Sequence, residues 1–409
     1  MSLFIKSSSM VIECVSLLLL VLLINNVQAA RILQAPMKTF DVNQYGGVAD
    51  GKTDNSKAFI AAWNEACKNN GGGVVLFQKG TYLVNPLMIE GSACKGPMEV
   101  QIQGTLLASK EYQYSVGIDH WILFRYVANL VISGGGTLDG QGASAWPYND
   151  CIKNKQCKAL PGSLKFDFAN NTKIENITSL NSKNTHINCF ACRDVIFSNI
   201  HITAPGDSPN TDGIKIGESS NIQIHDSVIA TGDDCLAFLP DSRNISVTRI
   251  HCGPGHGISL GSISSKSITG LSVTNSSLVG TQNGVRIKTK SPSQPGSVSN
   301  VTFQHIQMDK VDNPIVIDQQ YCPGSGCTAP KTSEIQITDV KYIDIWGTSN
   351  TETAVNFKCS ENKPCTKIEL RDINLNYSGG RQANESCLNA KGVASGKEYP
   401  KSYRPSTYR

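Results

Sequence analysis

Asn221-Ile-Gln-Ile-His-Asp-Ser-Val-Ile229 is followed 23 residues on by Asn244-Ile-Ser-Val-Thr-Arg-Ile-His-Cys252, and the same cadence runs through most of the chain. Upstream stand Asn129-Leu-Val-Ile132 and Asp194-Val-Ile-Phe-Ser-Asn-Ile-His-Ile202. Downstream come Gly270-Leu-Ser-Val273, Asn300-Val-Thr-Phe-Gln-His-Ile-Gln-Met308, Glu334-Ile-Gln-Ile-Thr-Asp-Val340 and Lys367-Ile-Glu-Leu-Arg-Asp-Ile373. From residue 194 the runs start at intervals of 27, 23, 26, 30, 34 and 33 residues. Apolar residues alternate within each run, as in Ile222 and Ile224, which marks a strand with one buried face. Short strands repeating at this length, with turn residues between, describe coils of a right-handed parallel β-helix. A propeller needs blades of ~40 residues or more, and a sandwich would not keep one motif in register over so many repeats. The expected fold is therefore all-β, a single solenoid with coils ~4.8 Å apart.

Ahead of the repeats, Ser56 to Lys68 carries Phe59, Ile60, Trp63 and Cys67 at helical spacing, with Asp54 or Ser56 as N-cap and Gly71 as stop. One helix at the end of a solenoid caps its exposed core. Residues 1–29 read as a signal peptide: Lys6 precedes the apolar run Val11 to Ile24, and Val27-Gln28-Ala29 offers a small-residue cleavage site. The run falls short of the ~20 residues a membrane span needs. The mature chain, 30–409, is expected to be one secreted β-helix domain, monomeric and with no membrane attachment. It has no Pro/Ser-rich linker or charge block, and a solenoid core can grow with chain length.

The signal segment holds Lys6 and Glu13, so its removal leaves the net charge of +4 unchanged. A mild positive balance suits an acidic partner, while the absence of clustered Lys and Arg argues against nucleic acid. Of 14 cysteines, Cys14 leaves with the signal, and the other thirteen imply disulfides plus one odd thiol. Close pairs are Cys151 with Cys157, Cys322 with Cys327, and Cys359 with Cys365; Cys235 and Cys252 lie about one repeat apart. Cys189-x-x-Cys192 stands alone, without the second pair a zinc site would need. Seven sequons, at Asn170, Asn176, Asn244, Asn275, Asn300, Asn376 and Asn384, fit an extracellular route.

Polar residues of a more demanding kind interrupt the repeat between Asn210 and Lys288. They read Asn210-Thr211-Asp212, Gly232-Asp233-Asp234, Gly255-His256-Gly257 and Arg286-Ile287-Lys288. Their separations approach one coil, so stacking would gather them on one face. Crowded carboxylates raise at least one pKa, and a protonated carboxyl beside an ionised one is the pair glycoside hydrolysis uses. Any single Asp here could equally turn a corner, and the histidine alone could be structural. Gly232 is expected to permit the bend that aims both Asp233 and Asp234 at one site, and the glycines flanking His256 leave its imidazole free of local packing. Arg286 and Lys288, two apart on a strand, point the same way and could clamp an acidic sugar. Calcium held by the acidic cluster is a further option.

These motifs, in order, together with Cys252-Gly253-Pro254-Gly255-His256-Gly257 and Tyr321, resemble the polygalacturonases of glycoside hydrolase family 28. The likeness spans nearly all of the mature chain from Gly46-Gly47-Val48-Ala49-Asp50-Gly51 onward, and Gly134 to Gly142 followed by Trp146-Pro147 is similar to the plant pollen-type exo-acting members. The resemblance implies inverting hydrolysis of α-1,4 bonds between galacturonic acids in de-esterified pectin, with no cofactor and no metal. It implies that Asp233 is the general acid, that Asp212 and Asp234 activate water, and that His256 supports the acid. Asn210, Arg286, Lys288 and Tyr321 would bind substrate. The inverting mechanism places the carboxyls ~6.5 to 9.5 Å apart. Competing expectations are an endo-acting enzyme, a calcium-dependent lyase, and a catalytically weak pectin-binding β-helix. Two departures stand out: Leu236-Ala-Phe-Leu-Pro-Asp241 replaces the usual small-residue stretch and could alter the pocket, and Cys387 lacks the late cysteine that would partner it.

Overall fold

Each run of the repeat forms a strand beside its own counterpart in the next coil. Val195, Ile222, Ile245, Leu271, Val301, Val340 and Ile368 form one lateral row through successive parallel pairings. All seven face inward and are buried. Burying a branched aliphatic side chain is worth about 1.5–3 kcal/mol, so a one-residue slip that turned this row to solvent would be prohibitive. The result is a right-handed parallel β-helix.

The computed structural model describes residues 37–111, 116–150, 154, 156–323, 332–380 and 382–400. The expected signal peptide lies outside them, and the described residues from Thr39 onward belong to one compact unit. Their strands gather into a sheet of 17 and a sheet of 11.

The residue that opens most runs has a structural reason. Asn129, Asp194, Asn221, Asn244, Gly270, Asn300 and Lys367 all have left-handed backbone, with φ between 52° and 68°. Asn, Asp and Gly tolerate that conformation best. The side chains also tie coils together: Asn221 Nδ2 donates to Asp194 Oδ1 at 2.8 Å, and Asn244 Nδ2 donates to Asn221 Oδ1 at 2.6 Å.

The helix runs from Ser56 to Lys68 and covers the first coils with Phe59, Ala62, Trp63 and Ala66. Phe59 meets Phe77 edge-on at 4.9 Å, and Trp63 Nε1 donates to the Glu90 carbonyl at 2.9 Å. Its caps differ from expectation. Asn55 is the N-cap, and the helix stops at Asn69 rather than Gly71. Asp54 instead accepts from both the amide and the hydroxyl of Ser56.

Cys235–Cys252 and Cys359–Cys365 are disulfides, joined by Cys67–Cys94, a pair 27 residues apart that the close spacings did not indicate. Cys157 and Cys322 are also disulfide-bonded, and their expected partners Cys151 and Cys327 lie outside the described residues. Three free thiols appear among the described residues rather than one: Cys189, Cys192 and Cys387. The first two are buried in the solenoid, where a thiol packs as a small apolar group.

Candidate active site

The 11-stranded sheet carries the polar motifs. Ile214, Leu236 and Ile258 are lateral neighbours on the strands Ile214–Gly217, Leu236–Phe238 and Ile258–Ile263. Asp212, Asp234 and His256 each stand two residues earlier, so they share one level on three consecutive coils. Main-chain bonds hold that level. The Gly213 amide donates to the Asp234 carbonyl at 2.9 Å, and the His256 amide donates to the Asp233 carbonyl at 2.8 Å.

Asp233 and Asp234 lie just ahead of the strand Leu236–Phe238, and the chain bends at Gly232 and Asp233 as expected. Gly232 meets a further demand as well: a Cβ there would lie 2.0 Å from the Ser208 carbonyl oxygen. Its amide donates to Thr211 Oγ1 at 2.9 Å, and Thr211 Oγ1 also bonds Ser208 Oγ at 2.7 Å. The middle residue of Asn210-Thr211-Asp212 therefore fastens two turns together. Gly257 is likewise close-packed, since a Cβ would meet the Asn283 carbonyl at 2.0 Å.

The three carboxylates have different partners. Asp234, 2% exposed, accepts from Ser259 Oγ at 2.7 Å and Arg286 Nη2 at 2.8 Å on one oxygen, and from Lys288 Nζ at 2.7 Å on the other. Arg286 and Lys288 project from the strand Asn283–Lys290, and Arg286 Nε donates to Ser259 Oγ at 3.1 Å. Lys288 Nζ also lies 5.3 Å from the Tyr321 ring centroid, within cation–π range. Asp233 Oδ1 bonds His256 Nδ1 at 2.9 Å and the Asp234 amide at 2.8 Å. Asp212 Oδ2 faces Lys215 Nζ at 3.1 Å.

These surroundings drive the acids apart. Burial pushes Asp212 up to about 6; Lys215 opposes that rise, while Asp233 and Asp234 add to it. Burial, ahead of the crowding expected from the sequence, is thus the larger cause. Burial also pushes Asp233 upward, but the hydrogen bond and charge of His256 outweigh it, and this carboxyl sits below its ordinary range.

Asn210 bonds to a neighbouring loop. Its Nδ2 donates to Asn149 Oδ1 at 2.7 Å, on the insertion that follows Trp146. Asn149 Nδ2 reaches the Pro209 carbonyl at 3.1 Å, and Trp146 Nε1 donates to the Ser182 carbonyl at 3.0 Å. The insertion is therefore pinned to the turns beside and immediately before Asp212.

The segment after Asp234 was read as one that could alter the pocket. Within its strand Leu236–Phe238, Phe238 fills the core between Ile216 and Leu260 and Ala237 alone takes the outward register, between Lys215 and Ser259, while Leu239, Pro240 and Asp241 beyond it are half-buried. Lys215 and Ser259 were not among the anticipated residues. Both occupy the outward position between two inward aliphatics, Ile214-Lys215-Ile216 and Ile258-Ser259-Leu260, so period-two alternation carried the signal. Asp233, Asp234 and His256 present ligand atoms within 4.8 Å of one another. A cation among them would have to displace Arg286 and Lys288 from Asp234.

The family model for glycosyl hydrolases family 28 matches residues 67–397. An exopolygalacturonase from Zea mays is 42% identical over 367 residues, 88% of this chain and 89% of that protein. An exopolygalacturonase from Platanus acerifolia is 41% identical, covering 90% and 99% respectively. Among solved structures, a hyperthermoactive exopolygalacturonase from Thermotoga maritima superposes with a TM-score of 0.72 over 83% of this chain and 87% of its own, at 20% identity, a likeness of fold. Motif order, solenoid and relatives agree: the chain belongs to glycosyl hydrolase family 28.

Proposed function

We propose that this protein hydrolyses α-1,4-galacturonosyl bonds in de-esterified pectin with inversion, removing residues from a chain end. The observation that carries the reading is the division of labour among Asp212, Asp233 and Asp234. Asp233 shares a hydrogen bond with His256, and one proton held by that pair can be delivered through Asp233 to the leaving oxygen. Asp212 at about 6 is a stronger base than an ordinary aspartate and still ionises near neutrality, which suits it to take a proton from water. Asp234 is paired with Arg286 and Lys288 and supports the same water. Inverting chemistry needs an acid and a base on opposite sides of the bond, with room for water between.

Arg286, Lys288 and Tyr321 line the same face and suit a uronate, the two cations drawing its carboxylate and the ring packing on the sugar. The pinned insertion from Trp146 through Asn149 supports a blocked cleft beside Asp212, the condition for exo action. Relatives named exopolygalacturonase point the same way. The mature enzyme is read as a secreted monomer of residues 30–409 acting in the plant cell wall after loss of residues 1–29. Among the described residues no helix is long and apolar enough to cross a membrane.

Time-resolved product analysis on defined oligogalacturonates tests the reading. Monomer alone at early times is the expected result. Mixed oligomers would replace exo with endo action, an ultraviolet-absorbing unsaturated product would replace hydrolysis with elimination, and binding without turnover would leave only a pectin-binding role.

A further inference from the structure

Each carboxylate of the cluster has its own cationic or ionisable partner, and one of these partners has no part in the roles assigned above. Arg286 and Lys288 hold Asp234, and His256 holds Asp233. Asp212 is left to Lys215, whose ammonium lies 3.1 Å from Oδ2. The same nitrogen donates to Thr185 Oγ1 at 3.1 Å, one coil upstream. Lys215 is therefore anchored from two coils on the outward row between Asn188 and Ala237. Its side chain keeps 25% of its exposure, so it sits at the border between the buried acid and the open cleft.

We infer that Lys215 is a positioning residue for the hydrolysis: anchored on Thr185 and paired with Asp212, it orients that carboxylate and extends the working range of the water-activating base toward lower pH. The inference rests on the reading of Asp212 as that base. The charged groups that face Asp212 are Lys215 on its own coil and Asp233 and Asp234 on the next. The two carboxylates oppose its ionisation, as does burial, and Lys215 is the group that favours it. Arg286, Lys288 and His256 act on the other two acids and leave Asp212 without a second cation at bonding distance among the described contacts. With Lys215 present the Asp212 carboxyl lies at about 6; without it, the carboxyl would stay protonated to higher pH and could not accept a proton from water.

The test is the pH dependence of kcat/KM on polygalacturonate for Lys215→Met, Lys215→Gln and Lys215→Arg, beside Asp212→Asn. Removing an opposite charge this close should move the acidic limb upward by about 1 to 2 pH units in the Met and Gln variants. At pH values below the new limb the rate should fall roughly tenfold per pH unit and recover toward neutrality, with KM changed by less than about twofold. Lys215→Arg should restore the acidic limb, because it returns the cation without restoring the lysine geometry. An unmoved acidic limb with KM raised several-fold would make Lys215 a clamp for the uronate instead and overturn the inference, as would an equal loss at every pH. Denaturant unfolding at neutral pH separates both results from misfolding, and the Gln variant stands in if the Met variant does not fold. Near-normal turnover by Asp212→Asn would remove the underlying reading itself, which distinguishes that failure from a failure at Lys215.

Discussion

Nδ1 of His256 lies 2.9 Å from Oδ1 of Asp233, and its own main-chain amide donates to the carbonyl of the same residue at 2.8 Å. One residue thus grips both ends of its partner and fixes the carboxyl's direction. Replacing His256 with Ala should cut the release of reducing ends from polygalacturonate by roughly a hundredfold, the scale of a lost acid–base contribution. Asp233→Asn should abolish it. Circular dichroism should report unaltered β-structure in both, and substantial turnover by Asp233→Asn would remove the acid assignment.

Asp234 balances two cations that are themselves almost buried, with side-chain exposures of 11% for Arg286 and 7% for Lys288. Asp234→Asn would leave them facing each other without a counter-charge. Breaking a buried ion pair from one side costs about 3–5 kcal/mol, so the variant should unfold at clearly lower denaturant as well as lose activity. The neutral replacement Arg286→Met with Asp234→Asn should recover part of that stability.

The same cations should make turnover depend on the substrate's charge. Full methyl-esterification of the polymer removes the carboxylates that Arg286 and Lys288 would attract, and kcat/KM should drop by at least about tenfold. Equal rates on esterified and free polymer would show that both cations serve Asp234 alone.

Stability should respond to pH through two buried groups of opposite slope. Asp212 titrates in the fold at about 6, above the 3.8 of an ordinary aspartate, so its contribution falls as pH rises from about 4 to 6. His186 is lowered to about 3 from 6.5 by burial, so its contribution falls as pH drops from about 6.5 to 3, when the unfolded ring takes a proton that the buried one refuses. Each slope is about 1.4 kcal/mol per pH unit, and between pH 4 and 6 they largely cancel. Urea midpoints should accordingly be nearly flat over that range in the natural protein. In Asp212→Asn they should rise with pH, because the slope from His186 is then unopposed.

The solenoid was readable because its strand pattern recurs with a left-handed Asn, Asp or Gly at the head of most runs, a conformational demand few side chains meet cheaply. Asp212, Asp234 and His256 could be gathered from their spacing because each precedes an inward aliphatic by two residues, on coils that pair in register. Lys215 and Ser259 escaped because motif spacing marks coils, whereas these residues are marked by the face they occupy within a strand. Asn149 was beyond reach for another reason: it lies in an insertion outside the repeat and meets Asn210 across 61 residues. Cys67 and Cys94 likewise meet through the docking of the capping helix, which no local spacing encodes.

Gly232 lies so close to the Ser208 carbonyl that the two turns bearing the acids are in main-chain contact. The interval between the acids is consequently a property of stacked backbone, shared with the rest of the solenoid, and depends on Gly232 staying without a side chain. Variation in what such an enzyme accepts is then expected from the insertion that carries Trp146 and Asn149, since Arg286 and Lys288 are already committed to Asp234. A graft of that loop should redirect the enzyme while the three carboxylates stay where they are.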